Sequence, residues 1–273
     1  FFGSYSGISN IEGNNNTFVG YNSGNKNTSG SSNNYIGTNS GFSNTTGDNN
    51  VFIGPEAGYL NTTGGYNIFI GHQSGRSNSD GFHSVFIGTW SGYYNTASNN
   101  VYIGYSCGYL NSSGWGNSYM GYCAGRNNTT GETNVFIGSG AGYTNSTGSR
   151  NVFLGYAAGM ANIANDNVFL GYNCGYNNTT GSLNAFLGYW SGYSNTTGAN
   201  NVFIGPEAGV LNSTGNNNVF LGSGAGMSNS IGTNNVFIGH KAGYYETGSN
   251  KFYIANSETT TPLIGGDFTG HRV

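Results

Sequence analysis

Short apolar runs recur along the chain at a nearly constant distance, separated by polar segments rich in glycine and asparagine. Each run reads V-F-I-G or a close variant. The runs begin at Thr17, Asn34, Val51, Ile68, Val85, Val101, Ser118, Val135, Val152, Val168, Ala185, Val202, Val219, Val236 and Phe252. Most steps are 17 residues long, and three are 16. A fixed period of this length predicts one structural unit per repeat, stacked on its neighbours as in a solenoid.

The second residue of each run is Phe or Tyr without exception, as in Phe52, Tyr102 and Phe153. Its two neighbours, typically Val and Ile, point to the opposite face of a strand because side chains alternate. Apolar residues on both faces predict burial on both. One coil is too small for two cores, so we expect one face to fill the solenoid and the other to meet an identical chain. The sequence leaves open which column faces that symmetry axis.

Two other kinds of column follow the same period. A small residue and then glycine, as in Ala57-Gly58 and Cys107-Gly108, come after each run and predict a tight inner corner. Asparagine precedes most strands and opens the recurrent N-T-T-G turn. In a turn it tolerates the left-handed backbone conformation and hydrogen-bonds to nearby backbone groups, and stacked asparagines can also hydrogen-bond from one coil to the next. The turn also matches the glycosylation sequon, but its recurrence follows from the repeat, and sugar attachment is the less favoured alternative.

These columns predict an all-β fold, a parallel β-solenoid of about 15 coils of 16–17 residues over residues 1–255. Residues 256–273 no longer follow the period and are expected to form an irregular tail. The chain opens in the middle of a repeat, so we expect it to be a piece of a longer protein. Stability should come from contacts between neighbouring coils.

The composition changes this picture little. Charged residues make up only 6% of the chain and glycine numbers 50, but aromatics at 15% and the strict period argue against disorder. A net charge of −3 offers no basic face, so nucleic acid is not an expected partner. We also expect no membrane insertion, because no stretch is apolar enough to span a bilayer.

Enzyme-like residues occur only in two variable slots directly after the strand. They are Pro55-Glu56, Pro206-Glu207, His72 and His240. The two glutamates lie nine coils apart, too far for the paired carboxylates of a glycosidase. The three cysteines stand in or beside the small-residue column and are interpreted as buried apolar residues. We therefore expect no catalysis, no cofactor and no metal.

A binding surface is a more plausible use of the variable slots. Aromatic residues gather there and in the slot after the corner glycine, and the candidates for a glycan-binding flank are Trp90, Tyr93, Tyr105, Tyr109, Tyr122, Tyr156, Tyr172, Tyr189 and Trp190. Aromatic side chains with an apolar body and a polar group at the solvent-facing end are suited to recognition surfaces. The alternative is that these rings are buried between subunits.

The motif N-V-F-I-G-x-x-A-G, as in Asn134 to Gly142, resembles the head repeats of trimeric adhesins. It is still more similar to the repeats of phage tail fibres and related bacterial surface fibres. The segment NSETTTPLIGGDFTGHRV, residues 256–273, is similar to the junction that precedes an endosialidase-type intramolecular chaperone in such fibres. The resemblance implies a left-handed, trimeric β-roll that serves as a shaft or an adhesive head.

The expected function is thus the structural and adhesive segment of a trimeric extracellular fibre, on a virion tail or a cell surface. A bacterial surface adhesin or a self-assembled extracellular filament is the alternative, and a polysaccharide-degrading tailspike is the least favoured. The expected partners are further copies of the chain, as a homotrimer, and a cell-surface glycan.

Overall fold

The computed structural model describes residues 1–270 and divides into two compact units, Phe1–Asn134 and the part that begins at Val135. Each unit is built from short parallel strands joined by turns, and residues 1–270 contain no helix. Among them, accordingly, there is no helix that could cross a membrane. The prediction of an all-β parallel solenoid is confirmed.

The strands of the first unit are β1 (Thr17–Val19), β2 (Asn34–Ile36), β3 (Val51–Ile53), β4 (Ile68–Ile70), β5 (Val85–Ile87), β6 (Val101–Ile103) and β7 (Ser118–Met120). Those of the second are β8 (Val135–Ile137), β9 (Val152–Leu154), β10 (Val168–Leu170), β11 (Ala185–Leu187), β12 (Val202–Ile204), β13 (Val219–Leu221), β14 (Val236–Ile238), β15 (Lys251–Ile254) and β16 (Ile264–Asp267).

Within each unit, consecutive strands pair in parallel with equivalent residues opposite one another, and the pair β15–β16 is the antiparallel exception. Phe52 of β3 lies opposite Phe69 of β4, and Phe153 of β9 opposite Phe169 of β10. The step from Phe153 to Phe169 is one of the shortened ones, yet the register is kept. The deletion is absorbed in the turn at Asn162–Asn165, where no strand is disturbed.

The core of each unit is a stack of aromatic rings, one from each coil. From Phe18 to Tyr119 the centroids of neighbouring rings lie 4.7–5.0 Å apart with planes within 13° of parallel. From Phe136 to Phe237 the distances are 4.7–4.9 Å. These side chains are essentially inaccessible to solvent. The aromatic column therefore lies inside the solenoid, a point that the sequence left open.

The corner glycines are required by this ring stack. Gly58 has φ of +60°, and a Cβ built on it would lie 2.5 Å from the ring of Phe52. Any side chain there would displace the ring, and a left-handed backbone favours glycine in addition. The small residue before it, Ala57 in this coil, is fully buried. The predicted tight inner corner is confirmed.

Buried asparagines form a second set of ladders inside the solenoid. The Nδ2 of Asn61 donates to the Oδ1 of Asn44 at 2.8 Å and to the carbonyl of Gly64 at 3.0 Å. In the column before the strands, the backbone N–H of Asn67 donates to the Oδ1 of Asn50 at 3.0 Å. The side chains thus satisfy backbone groups that turns would otherwise leave without partners in the interior.

The first and third residues of the strands point outward and form an outer apolar face. They are half-buried or exposed, and the more exposed of them, with 37–47% of their surface accessible, are Ile36, Ile68, Val101, Met120, Ile137, Val168, Leu187 and Ile204. Each unit therefore carries a stripe of Val, Ile and Leu that the residues of the same unit, as far as they are described, leave partly exposed.

The segment after Asn256, expected to be irregular, contains one strand. Strand β16 pairs antiparallel with β15. The Nζ of Lys251 contacts the Oδ2 of Asp267 at 2.7 Å across this pair. The hairpin became possible because residues 255–263 turn the chain back instead of starting another coil, and residues 271–273 lie outside the described part.

The ring stack excludes water, so a tyrosine hydroxyl buried in it should lower the free energy of unfolding. The Tyr102 hydroxyl is buried and has no hydrogen-bond partner, and burial is the main reason that the pKa of Tyr102 lies well above its ordinary value. The nearby side chain of Asn117 partly offsets this rise in the pKa, although it does not form a hydrogen bond with the Tyr102 hydroxyl. We expect Tyr102→Phe to raise the free energy of unfolding by about 1–2 kcal/mol, because an unpartnered polar atom is removed. Chemical denaturation measures the change.

The matched control is Phe86→Tyr in the neighbouring coil, which adds a hydroxyl to the same dry stack. It should lower the stability. Equal stability of both variants and the unchanged protein would contradict this account of the core.

Candidate functional site

Two variable slots follow the glycine at the end of each strand, and the structure gives them different backbones. In the second variable slot the backbone is left-handed: φ is +57° at Glu56, +55° at Gln73, +59° at Trp90 and +55° at Trp190. Asparagine and glycine adopt this region at little cost, whereas a bulky side chain there is strained by about 1 kcal/mol or more. Two tryptophans therefore stand where the backbone least favours them.

The first variable slot carries two exposed ladders of tyrosine. Tyr105 and Tyr122 stack with ring centroids 5.4 Å apart and planes 7° from parallel. Tyr156, Tyr172 and Tyr189 form a longer row with successive distances of 5.1 Å and 5.5 Å. All five remain 41–61% exposed. The predicted flank residues thus do come together, in one group within each unit.

Trp90 continues the first group without joining its stack. Its ring is tilted by 55° against Tyr105, with centroids 5.4 Å apart. The indole Nε1 donates to the Oε1 of Gln73 at 2.8 Å, and the Nε2 of Gln73 donates to Glu56 at 3.0 Å. A chain of polar contacts in the second variable slot thereby fixes the orientation of Trp90.

Trp190 occupies the equivalent slot in the second unit but has a different environment. It stacks on Tyr189 at 5.1 Å and contacts the ring of Tyr193 at 5.3 Å. Its Nε1 is buried without a partner, and so is the Oδ1 of Asn173 in the preceding coil. Asn173 stands where Gln73 stands relative to Trp90, and its side chain is one carbon shorter.

The remaining candidates, Tyr93 and Tyr109, lie in the slot after the corner glycine and are half-buried. They stack on each other at 5.2 Å. The guanidinium of Arg76 lies 5.6 Å from the ring of Tyr93, and that of Arg126 lies 5.0 Å from Tyr109. Neither arginine was predicted from the sequence as part of the site, although both stand in a largely aromatic column, two residues before an Asn column, which was a signal for cation–π contacts.

This arrangement determines what the flank can offer a ligand. Because stacked rings cover one another, most ring faces within the ladders are occupied, and the edges and hydroxyls point to solvent. The face of Tyr156 away from Tyr172 is an exception, since the preceding coil carries only Ser139 and Gly140 in the two slots. The flank is therefore suited chiefly to hydrogen bonding by phenol groups, which both donate and accept.

Of the enzyme-like residues, Glu56 is engaged in contacts with its neighbours in the next coil. The carboxylate of Glu56 contacts the Nε of Arg76 at 2.9 Å. The hydrogen bonds from Arg76 and then Gln73 lower the pKa of Glu56. Residues 1–270 contain no group of three or more His, Cys, Asp and Glu side chains that could hold a metal ion. A charged, ion-paired Glu56 is suited to stabilising the coil stack.

The three cysteines, Cys107, Cys123 and Cys174, are free and buried. Burial raises the pKa of all three thiols. A thiol of raised pKa is a poor nucleophile and a poor metal ligand at neutral pH. Their positions agree with the interpretation of cysteine as a small apolar residue.

The asparagines that open the N-[ST]-[ST] turns are not accessible in the folded chain. Asn44, Asn61, Asn128, Asn178, Asn195 and Asn212 have no solvent-accessible surface. Their amide nitrogens are used in hydrogen bonds inside the solenoid, as for Asn61. A sugar attached to any of them would have to displace a buried ladder, so the folded protein is not a substrate for glycosylation at these sites.

Comparison with known proteins adds no family to this description. No family model, curated protein or solved structure matches the chain. The arguments on function therefore rest on the residues and their geometry.

The two tryptophan sites give a second testable prediction. In Asn173→Gln, the longer side chain should reach the Nε1 of Trp190 as Gln73 reaches that of Trp90. Because two buried polar atoms gain partners, we expect stability to rise by about 1 kcal/mol after the cost of Gln in a left-handed backbone. The melting temperature measures this.

The reciprocal variant Gln73→Asn is the control and should lower the melting temperature. A decrease for Asn173→Gln would show that the Trp190 site is not limited by side-chain length.

A third prediction concerns pH. Since the pKa of Glu56 is lowered on folding, its stabilising effect is present above its unfolded pKa of about 4.3 and is lost as pH falls through the folded value. We expect the protein to be more stable than Glu56→Gln at pH 6, by less than about 1 kcal/mol because both partners are partly exposed. The difference should vanish once the pH is below the folded pKa of Glu56, where the carboxyl group is protonated in both states.

Glu207→Gln is the matched control, because Glu207 has the same local sequence but Gly224 and Met227 where Gln73 and Arg76 stand. Thermal unfolding between pH 3 and 7 compares the two. The same acid-sensitive difference for Glu207→Gln would exclude the Arg76 contact as its cause.

Proposed function

We propose that this chain is the structural and adhesive segment of a homotrimeric extracellular fibre. In the proposed fibre, the outer apolar face of each copy packs against the same face of the other copies. The observation that carries the proposal is that face, which runs in register along the strands of each unit and stays partly exposed among the described residues of that unit.

The extent of the face supports burial in an assembly. Each strand from β8 to β14 contributes two outward apolar side chains, for example Val202 and Ile204 of β12. Soluble monomers rarely expose a contiguous apolar patch larger than a few hundred Å². Covering these side chains with another surface would contribute about 25 cal/mol for each Å² removed from water.

Regular spacing favours an identical chain as the partner. Outward side chains repeat once per coil, at the ~4.8 Å spacing of paired strands. A second copy in parallel orientation has the same spacing, so each coil meets its equivalent and one good contact is repeated along the axis. The small share of charged residues, 6%, leaves little to oppose such packing.

Three copies and an extracellular location are proposed from the resemblance of the repeats to tail-fibre and trimeric adhesin repeats. A virion tail and a cell surface are both compatible with it. A surface adhesin or self-assembled filament would use the same outer face. Catalysis is not proposed, because Glu56, the most enzyme-like residue, is engaged by Arg76.

Light scattering on the full chain tests the assembly. We expect a single species with the mass of three chains. The double variant Leu187→Arg and Ile204→Arg places charges on the outer face, and it should give a smaller species that keeps its β-type circular dichroism, because neither side chain lies in the ring stack.

Leu183→Arg is the matched control, since Leu183 is 57% exposed but stands two residues before β11 and is not part of the strand. It should leave the mass unchanged. A folded, monodisperse monomer of the unaltered chain would refute the proposal.

A further inference from the structure

The row of Tyr156, Tyr172 and Tyr189, here named the tyrosine row, presents three equivalent hydroxyl groups along the solenoid of the second unit. The rings are parallel to within 13°. About half of each side chain is accessible, and within residues 1–270 no hydrogen bond occupies any of the three hydroxyls. Each hydroxyl is thus free to bond with a ligand.

The surroundings of the row carry no cationic side chain in sequence, and Glu207, whose backbone N–H donates to the carbonyl of Tyr189, adds a carboxylate one coil further on. No lysine or arginine occurs between Arg150 and Lys241. Asp166 is already paired with Arg150, at 2.6 Å. Without cations nearby, the row has nothing to attract a phosphate backbone or an acidic sugar. A neutral ligand is favoured.

The spacing of the row discriminates between neutral polymers. Its rings lie 5.1 Å and 5.5 Å apart. An extended peptide repeats on one side every second residue, about 6.4–6.8 Å, which exceeds the row spacing by about 1 Å or more at each step. In an extended chain of β-1,4-linked pyranoses, the rise per sugar is close to the spacing between successive coils. The difference between the sugar repeat and the ring spacing therefore stays small.

The chemistry of the phenol group fits the same polymer. Successive sugars of a β-1,4-linked chain are turned over, so that ring hydroxyls and hydroxymethyl groups alternate along one edge. A tyrosine hydroxyl donates one hydrogen bond and accepts others. A row of one kind of side chain can therefore bond in alternation to the ring hydroxyls and the hydroxymethyl groups.

We propose that the tyrosine row binds a neutral, β-1,4-linked polysaccharide lying along the solenoid, with one sugar for each coil. This inference rests on the adhesive part of the proposed function and names its ligand class. The polymer meets the edges and hydroxyls of the rings, because the ring faces stack on one another.

Calorimetric titration with β-1,4-linked glucose oligomers tests the inference. We expect the dissociation constant to decrease from the dimer to the trimer and tetramer and then to level off, since only three hydroxyls form the row. The triple variant Tyr156→Phe, Tyr172→Phe and Tyr189→Phe keeps the stacking and removes the hydroxyls. It should bind the tetramer at least about tenfold more weakly.

The pair Tyr176→Phe and Tyr193→Phe is the matched control. These rings form a neighbouring stack at 5.3 Å in the slot after the corner glycine, and their change should leave the affinity within about twofold. An α-1,4-linked glucose tetramer, whose chain coils, is the ligand control. Equal binding of α- and β-linked tetramers, or unchanged affinity of the triple variant, would overturn the inference.

Light scattering on the same samples separates the two proposals. A trimer that binds none of the oligomers refutes the polysaccharide inference and leaves the fibre proposal standing. A monomer that binds them through the tyrosine row refutes the fibre proposal and supports the row as a binding site.

Discussion

The fold depends on the face-to-face stacking of one buried ring per coil on the ring of the next. In the first unit the rings lie 4.7–5.0 Å apart, which matches the ~4.8 Å between paired strands. One register therefore satisfies ring packing and backbone hydrogen bonding together. The corner glycine follows from it, since the Phe52 ring occupies the place of a Cβ at Gly58. The Asn ladders need the same register, because Asn61 reaches Asn44 only when their coils are aligned.

Columns governed by this packing could be predicted from the sequence, because a repeat shows the same slot many times with the same constraint. The strand, the corner and the Asn ladders were predicted in this way. Which side of the strand is buried could not be predicted, since Phe52 and its neighbours Val51 and Ile53 are all apolar. The left-handed backbone of the second variable slot was also missed. Asn22 and Asn39 in that slot indicated a left-handed backbone, which asparagine tolerates. The presence of Trp90 in the same slot argued against it, although Trp90 adopts the same conformation.

The candidate flank was predicted in its residues and not in its geometry. Sequence spacing places Tyr156, Tyr172 and Tyr189 in consecutive coils, but it does not show whether their rings stack or lie flat. The structure stacks them, so the polar edges face outward and a ligand meets hydroxyls. Nor could the sequence show that Gln73 reaches Trp90 while Asn173 leaves Trp190 without a partner, because that difference depends on one methylene group.

The strained tryptophans and the shortened coils indicate that the variable slots can change without disturbing the core. Asparagine would fit the second variable slot at lower cost, so Trp90 and Trp190 stand there despite the backbone. The coil between Tyr156 and Tyr172 is one residue short, yet the two rings remain stacked at 5.1 Å, because the deletion falls in a turn on another side of the coil. Loop length can thus vary while the exposed column stays aligned. A surface built in this way can change its ligand by substitution in single slots without disturbing the ring stack that holds the coils together.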